Sequence, residues 1–139
     1  MPITDQPAAV KPASSLLLLR VSIALVWLYN GAWCKLLGRT PRHADLIAGV
    51  PLLNPSQAHA LVLALGLVEC GIAGWALSGL RARAAALTQT VLLLSMNAGG
   101  IAWGGRSIPD PAGMLIQNFA FLLLAWVAAG ELRPYDARS

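Results

Sequence analysis

The chain has 139 residues, 57% hydrophobic and 12% charged, with a formal net charge of +4 and a mean hydropathy of +0.64. Soluble domains carry about 25% charged residues, so half the usual charge is missing and long apolar blocks replace it. This excludes a soluble globular domain. The basic balance does not point to nucleic acid either, because the Lys and Arg residues end apolar runs, where they set orientation and meet anionic headgroups.

Residues 1–14 read as a flexible arm, polar and punctuated by Pro2, Pro7 and Pro12. The arm lacks the compact basic region of a signal peptide, and no A-x-A-like site follows the first apolar run, so that run is expected to stay as an anchor. The first span is expected from about Ser15 to Leu37, long enough at about 1.5 Å per residue to cross a bilayer. Gly38 and Pro41 stop it. The connection that follows holds ADLIAGVPLL, residues 44–53. This stretch is too short to span and too apolar for a free loop, so it is expected to lie in the interface or fold back on the bundle.

Further spans are expected at about Gln57 to Leu80, Arg83 to Trp103 and Ala112 to Gly130, with a polar tail at 132–139. The turn around Arg81 makes the second and third spans antiparallel neighbours. The fold class is therefore all-α, a four-transmembrane-helix bundle running up-down-up-down over residues 15–131, with an interfacial or re-entrant segment in the first loop. Arg81 and Arg83 in so short a turn, with Lys11, Arg20, Arg133 and Arg138 on the same side, set both termini in the cytoplasm. The opposite side has Lys35, Arg39, Arg42 and Arg106. A bacterial inner membrane is the expected location.

Each span carries polar residues that hydrocarbon rejects. A charge at membrane depth costs roughly 2.5–3.5 kcal/mol on insertion scales and usually faces the bundle interior with a partner. Glu69, near the middle of the second span, cannot reach either surface. Arg20 is placed either to contact Glu69 or to snorkel to the headgroups. Counting depth along each span puts Asn30, Cys34, Asn97, Gln117 and Asn118 in one outer layer, with Lys35 at its boundary and Glu69 as its floor. Arg20, Trp27, Gly31 and Cys34 share a helical face, and Gly66, Cys70 and Gly74 form a small-residue seam. The layer is either a ligand pocket or a set of interhelical hydrogen bonds packed shut. Cys34 and Cys70 are either small packing residues or, if the fold joins them, a redox pair. His43 and His59 offer no axial haem ligand at depth, and no metal-ligand spacing occurs. No intrinsic cofactor is expected, so redox activity would use a lipid-soluble quinone, the cysteines or a partner subunit.

Three stretches resemble the DoxX-like family of small four-helix integral membrane proteins. VWLYNGAWCKLLG, Val26 to Gly38, is similar to its signature of Trp-x-x-x-Gly before Lys-Leu. LGLVECGIAGWAL, Leu65 to Leu77, is similar to its second helix, and LIQNFAFLLLA, Leu115 to Ala125, to the start of its fourth. The matching residues are Trp27, Gly31, Lys35, Glu69 and Asn118. Cys34 departs from the Pro that the family often places before the Lys. The resemblance implies association with electron transfer: some relatives serve a thiosulfate:quinone oxidoreductase, others thiol and oxidative-stress complexes, amine dehydrogenase maturation or membrane-protein chaperoning.

The expected function is a membrane subunit of a quinone- or thiol-linked redox assembly with a polar intramembrane pocket. In a catalytic version, Glu69 accepts a quinol proton while Lys35 or Arg20 stabilises the anion. Candidate ligand-binding residues are Trp27, Asn30, Cys34, Asn97, Gln117 and Asn118. The alternative is a non-catalytic assembly or structural accessory subunit of a larger membrane complex. Either way the expected partners are the lipid bilayer and other membrane-protein subunits, with no nucleic acid. A small-solute transporter fits less well, because no discontinuous helix or repeat is evident.

Overall fold

A computed structural model describes residues 12–104 and 108–131. Among these, every regular element is helical. Helix α1, Pro12–Leu28, runs straight into a π-helical segment, Tyr29–Leu36. A short helix, α2, Arg42–Ala48, follows, then α3, Pro55–Ser78, α4, Ala82–Gly104, and α5, Pro111–Ala128. Four of these helical runs are long and apolar enough to cross a membrane: Ala13–Leu36, Pro55–Ser78, Ala82–Gly104 and Pro111–Ala128. The four-helix bundle expected from the sequence is what the chain forms. The N-terminal arm at 1–11, Arg106 and the tail at 132–139 lie outside the described residues.

Local chemistry fixes the helix ends. Asn54 caps α3 through a reciprocal pair: its Oδ1 accepts from the Gln57 amide at 2.9 Å, and Gln57 Oε1 accepts from the Asn54 amide at 3.1 Å. Pro55 takes the first helical position, where a missing N–H costs nothing. Gly79 ends α3 at φ 69°, the left-handed conformation that glycine tolerates best. Asp110 opens α5 by accepting from the Gly113 amide at 2.9 Å, with Pro111 behind it.

The helices form a ring in which α1 touches α3 and α5, and α4 touches α3 and α5. Ile23, Ala24, Trp27, Ile72, Ala73, Ala76 and Ala125 make the buried cluster at its centre. The large residues left outside, such as Leu18, Leu25, Leu67, Val91, Leu94 and Ile116, cover the surface of the spans with apolar side chains. That is the surface hydrocarbon requires.

The closest helix approach lies between α1's π segment and α3. A β-carbon on Gly31 would fall 2.7 Å from the Gly66 carbonyl oxygen and 2.9 Å from Glu69 Cβ. One on Gly66 would fall 2.9 Å from Leu36 Cδ2. Of the seam expected through Gly66, Cys70 and Gly74, the first two meet the first helix, with Cys70 Sγ 3.1 Å from a β-carbon placed on Gly31, and Gly74 does not. The buried stripe of α3 is Ala58, Val62, Gly66, Glu69, Ile72, Ala73 and Ala76, while Gly74 faces open space. The α-helical spacing through Gly31 and Cys34 also changes character, because the winding widens after Leu28.

Gly31→Ala is expected to destabilise the bundle by about 1–3 kcal/mol, the usual cost of overpacking a close contact. Gly71→Ala, at a site with nothing within 4 Å, serves as the control in detergent thermal-unfolding measurements.

Candidate functional site

The π segment turns Lys35 into the bundle. In this wider winding the Leu37 amide donates to the Ala32 carbonyl, five residues back, at 2.9 Å. Such segments recur at functional sites. Lys35, expected at the boundary, is 3% exposed, and Glu69 is 1% exposed. Lys35 Nζ donates to both carboxylate oxygens of Glu69, at 2.8 and 2.7 Å, and lies 3.4 Å from the Asn30 carbonyl oxygen. Arg20 is therefore not the partner of Glu69. Its guanidinium lies against Gly79, at the C-terminal end of α3, far along the bundle from Lys35.

Above this pair the ring is hollow. A cavity of about 630 Å³ is lined by residues from every element of the bundle. Glu69, Asn30 and Cys34 line one side, and Asn97, Gln117 and Asn118 line the other. Trp27 and Phe121 add an aromatic wall, their rings 5.8 Å apart and edge-on at 67°. The six candidate ligand-binding residues thus face one space together with Glu69. Lys35 stands behind Glu69, and Arg20 is remote.

Polar atoms around the cavity are partly paired. Asn118 Nδ2 donates to Asn97 Oδ1 at 2.7 Å, and Asn30 Nδ2 to the Val26 carbonyl at 2.9 Å. Trp27 Nε1 donates to Gln89 Oε1 at 2.9 Å, and Gln89 Nε2 to the Ala85 carbonyl at 3.1 Å. Thr40 Oγ1 donates to Cys34 Sγ at 3.4 Å. Cys34 and Cys70 are both free thiols.

Several lining residues had not been singled out in the sequence: Thr40, His43, Met96, Asp110, Met114 and Phe121. On α5 a signal existed, since Met114, Gln117, Asn118 and Phe121 follow helical spacing. On α4 Leu93, Met96, Asn97 and Gly100 do the same. His43 offered no such signal, because α2 lies in a loop whose placement the spacing does not encode. Its Nδ1 is buried without a hydrogen-bond partner among the described residues. Burial, with Lys35 and Arg42 nearby, lowers its pKa from 6.5 to about 4, so at neutral pH it is an uncharged ring.

The sequence profile described as the DoxX-like family matches residues 24–126. The chain belongs to the DoxX-like family. No curated protein and no solved structure matches it. The match to the DoxX-like family covers the π segment, the Lys35–Glu69 pair and every residue that lines the cavity.

Lys35→Ala, which strands a buried carboxylate, is expected to destabilise the protein by about 3–5 kcal/mol. The double change Lys35→Met with Glu69→Leu is expected to recover most of that loss in the same unfolding assay. For His43 the folded pKa lies below the unfolded one, so its contribution is complete above pH 6.5 and is lost as pH falls towards about 4. Thermal midpoints should drop across that window, and His43→Leu should flatten the drop.

Proposed function

We propose that this DoxX-like membrane protein binds a lipid-soluble quinone in its cavity, as a membrane subunit of a redox assembly. The observation that carries the reading is the cavity itself, placed within the spans and lined by aromatic, amide and carboxylate groups. Its volume falls in the range of about 300–1,000 Å³ typical of small-molecule sites. The amides supply donors for quinone carbonyls, and Trp27 and Phe121 supply faces for the ring. Glu69 is placed to take a proton from a quinol hydroxyl, with the Lys35 ammonium beside it to offset negative charge. Electrons pass to or from a partner subunit. The proposed setting is a bacterial inner membrane, with both termini cytoplasmic on the strength of Arg81 and Arg83 in the tight α3–α4 turn.

A second reading, a non-catalytic accessory subunit of a larger complex, is favoured by α5. Only Leu122 and Ala125 of that helix are buried, while Ile116 is 69% and Phe119 64% exposed. A face so little used within the chain suits a neighbouring subunit as well as lipid.

Quinones extracted from protein purified in native-lipid nanodiscs test the first reading. The double variant Asn97→Leu with Asn118→Leu removes both partners of one hydrogen bond, so no buried group is orphaned. It is expected to lose most of the bound quinone while keeping its fold. Equal quinone in both preparations, or none in the wild type, counts against quinone binding. A stable partner recovered by affinity purification from native membranes, together with an empty cavity, favours the accessory reading.

A further inference from the structure

The cavity is covered at both ends and open on one side. At the loop end α2 lies across it. A β-carbon on Gly49 would fall 2.8 Å from the Trp103 carbonyl oxygen, and Leu46 packs against Gly104. Ile108, itself 5% exposed, approaches Gly100 and Gly104 and completes the cover. Leu46 and Ile108 line the cavity at this end, beside the polar groups of Thr40, Arg42, His43 and Asp110. At the opposite end Ile23, Ala24, Trp27 and Ala125 close the bundle core.

Between these ends, the wall formed by α1 and α5 is incomplete. Helix α5 touches α1 over Pro12–Leu28, but among the described residues it does not approach the π segment or α2. The π segment instead leans onto α3, drawn in by the Gly31–Gly66 contact and the Lys35–Glu69 pair. A slot is left between the π segment and the first half of α5. Its edges are Val26, Tyr29 and Asn30 on one side and Met114, Gln117 and Phe121 on the other, all of them lining the cavity. Val26 is 42% and Tyr29 58% exposed, and both sides of the slot belong to membrane-spanning helices.

The lining is also balanced in charge. Glu69 is offset by Lys35, Arg42 and Asp110 line the loop end with one charge of each sign, and His43 is uncharged at neutral pH. At the depth of Asn97, Gln117 and Asn118 a charged headgroup would find only the already paired Lys35 and Glu69, at a cost that low-dielectric surroundings make large.

We propose that the slot between the π segment and α5 is a lateral portal, through which an uncharged headgroup on an apolar tail enters the cavity from the bilayer. The head reaches the amide layer of Asn97, Gln117 and Asn118, and the tail stays in the slot, against Val26, Tyr29 and Phe121. This deepens the quinone reading and rests on it for the identity of the head, but the route stands on geometry alone.

Cys34 reports on the route without any quinone, since its thiol lines the cavity and is 3% exposed. In a Cys70→Ala background, Cys34 is the single cysteine. Protein in sealed vesicles is treated either with a neutral, membrane-dissolving maleimide or with a charged, membrane-impermeant one supplied on both faces. The neutral reagent is expected to label Cys34 at least about tenfold faster than the charged one, and Val26→Trp, which fills the slot edge, is expected to slow that labelling by about tenfold. Labelling after denaturation in detergent gives the total thiol, and the unfolding midpoint confirms that Val26→Trp is folded.

Equal rates for the two reagents would mean the cavity opens to water and would overturn the portal, as would no labelling by either. Unchanged labelling in folded Val26→Trp would overturn the assigned edge. Lipid-side labelling with no quinone in the extracts leaves the portal standing and removes the quinone reading.

Discussion

One ion pair in a medium without water constrains everything around it. Lys35 and Glu69 come from helices separated by a turn, a loop helix and half a span, and neither has an acceptable place in hydrocarbon alone. Their bidentate contact fixes the depth at which α1 and α3 meet. A buried pair adds little net stability over an apolar one of equal volume. Its effect is on register, since a shift of one turn leaves both charges unpartnered. The bare backbones at Gly31 and Gly66 allow the approach, and the π winding after Leu28 turns the Lys35 side chain inward instead of towards the surface.

The same geometry creates the hollow. Pulling the end of the first helix onto α3 takes it away from α5, so the ring that closes tightly at Ile23, Ala73 and Ala125 opens beyond Trp27. The polar residues that line the opening are tolerated because they bond to one another or to carbonyls, as Asn118 does to Asn97 and Asn30 to Val26. In a DoxX-like protein these groups face a space large enough for a small molecule, within the spans.

Much of this was legible in the sequence, for identifiable reasons. Hydropathy fixed the four spans because backbone groups in lipid must be satisfied within a helix. Depth counting brought Asn30, Cys34, Asn97, Gln117 and Asn118 to one layer because an antiparallel bundle converts sequence distance from a turn into height. The partner of Glu69 was not legible. Arg20 and Lys35 are both within reach of Glu69 by span arithmetic, and only the π segment, which has no signature in α-helical periodicity, decides for Lys35. The seam on α3 was misread at Gly74, which is small like Gly66 and Cys70, because size alone does not say which face is inward. The position of α2, and with it His43, depends on tertiary contacts at Gly49 and Gly104 that leave no local pattern.

The side-chain hydrogen bonds divide the molecule in a way the ring of helices conceals. Asn118 to Asn97 and Trp126 to Thr90 stitch α5 to α4, while Lys35 to Glu69 stitches the first helix to α3. Among the described residues, one such bond crosses between these two hairpins: Trp27 to Gln89, running diagonally through the core. The two hairpins are otherwise held by the short turn between α3 and α4 and by dispersion contacts of α1 with α5 and α3 with α4, with the cavity on one side of the Trp27–Gln89 bond. A motion that parts the hairpins must break that indole–amide bond, the one side-chain hydrogen bond joining them among the described residues.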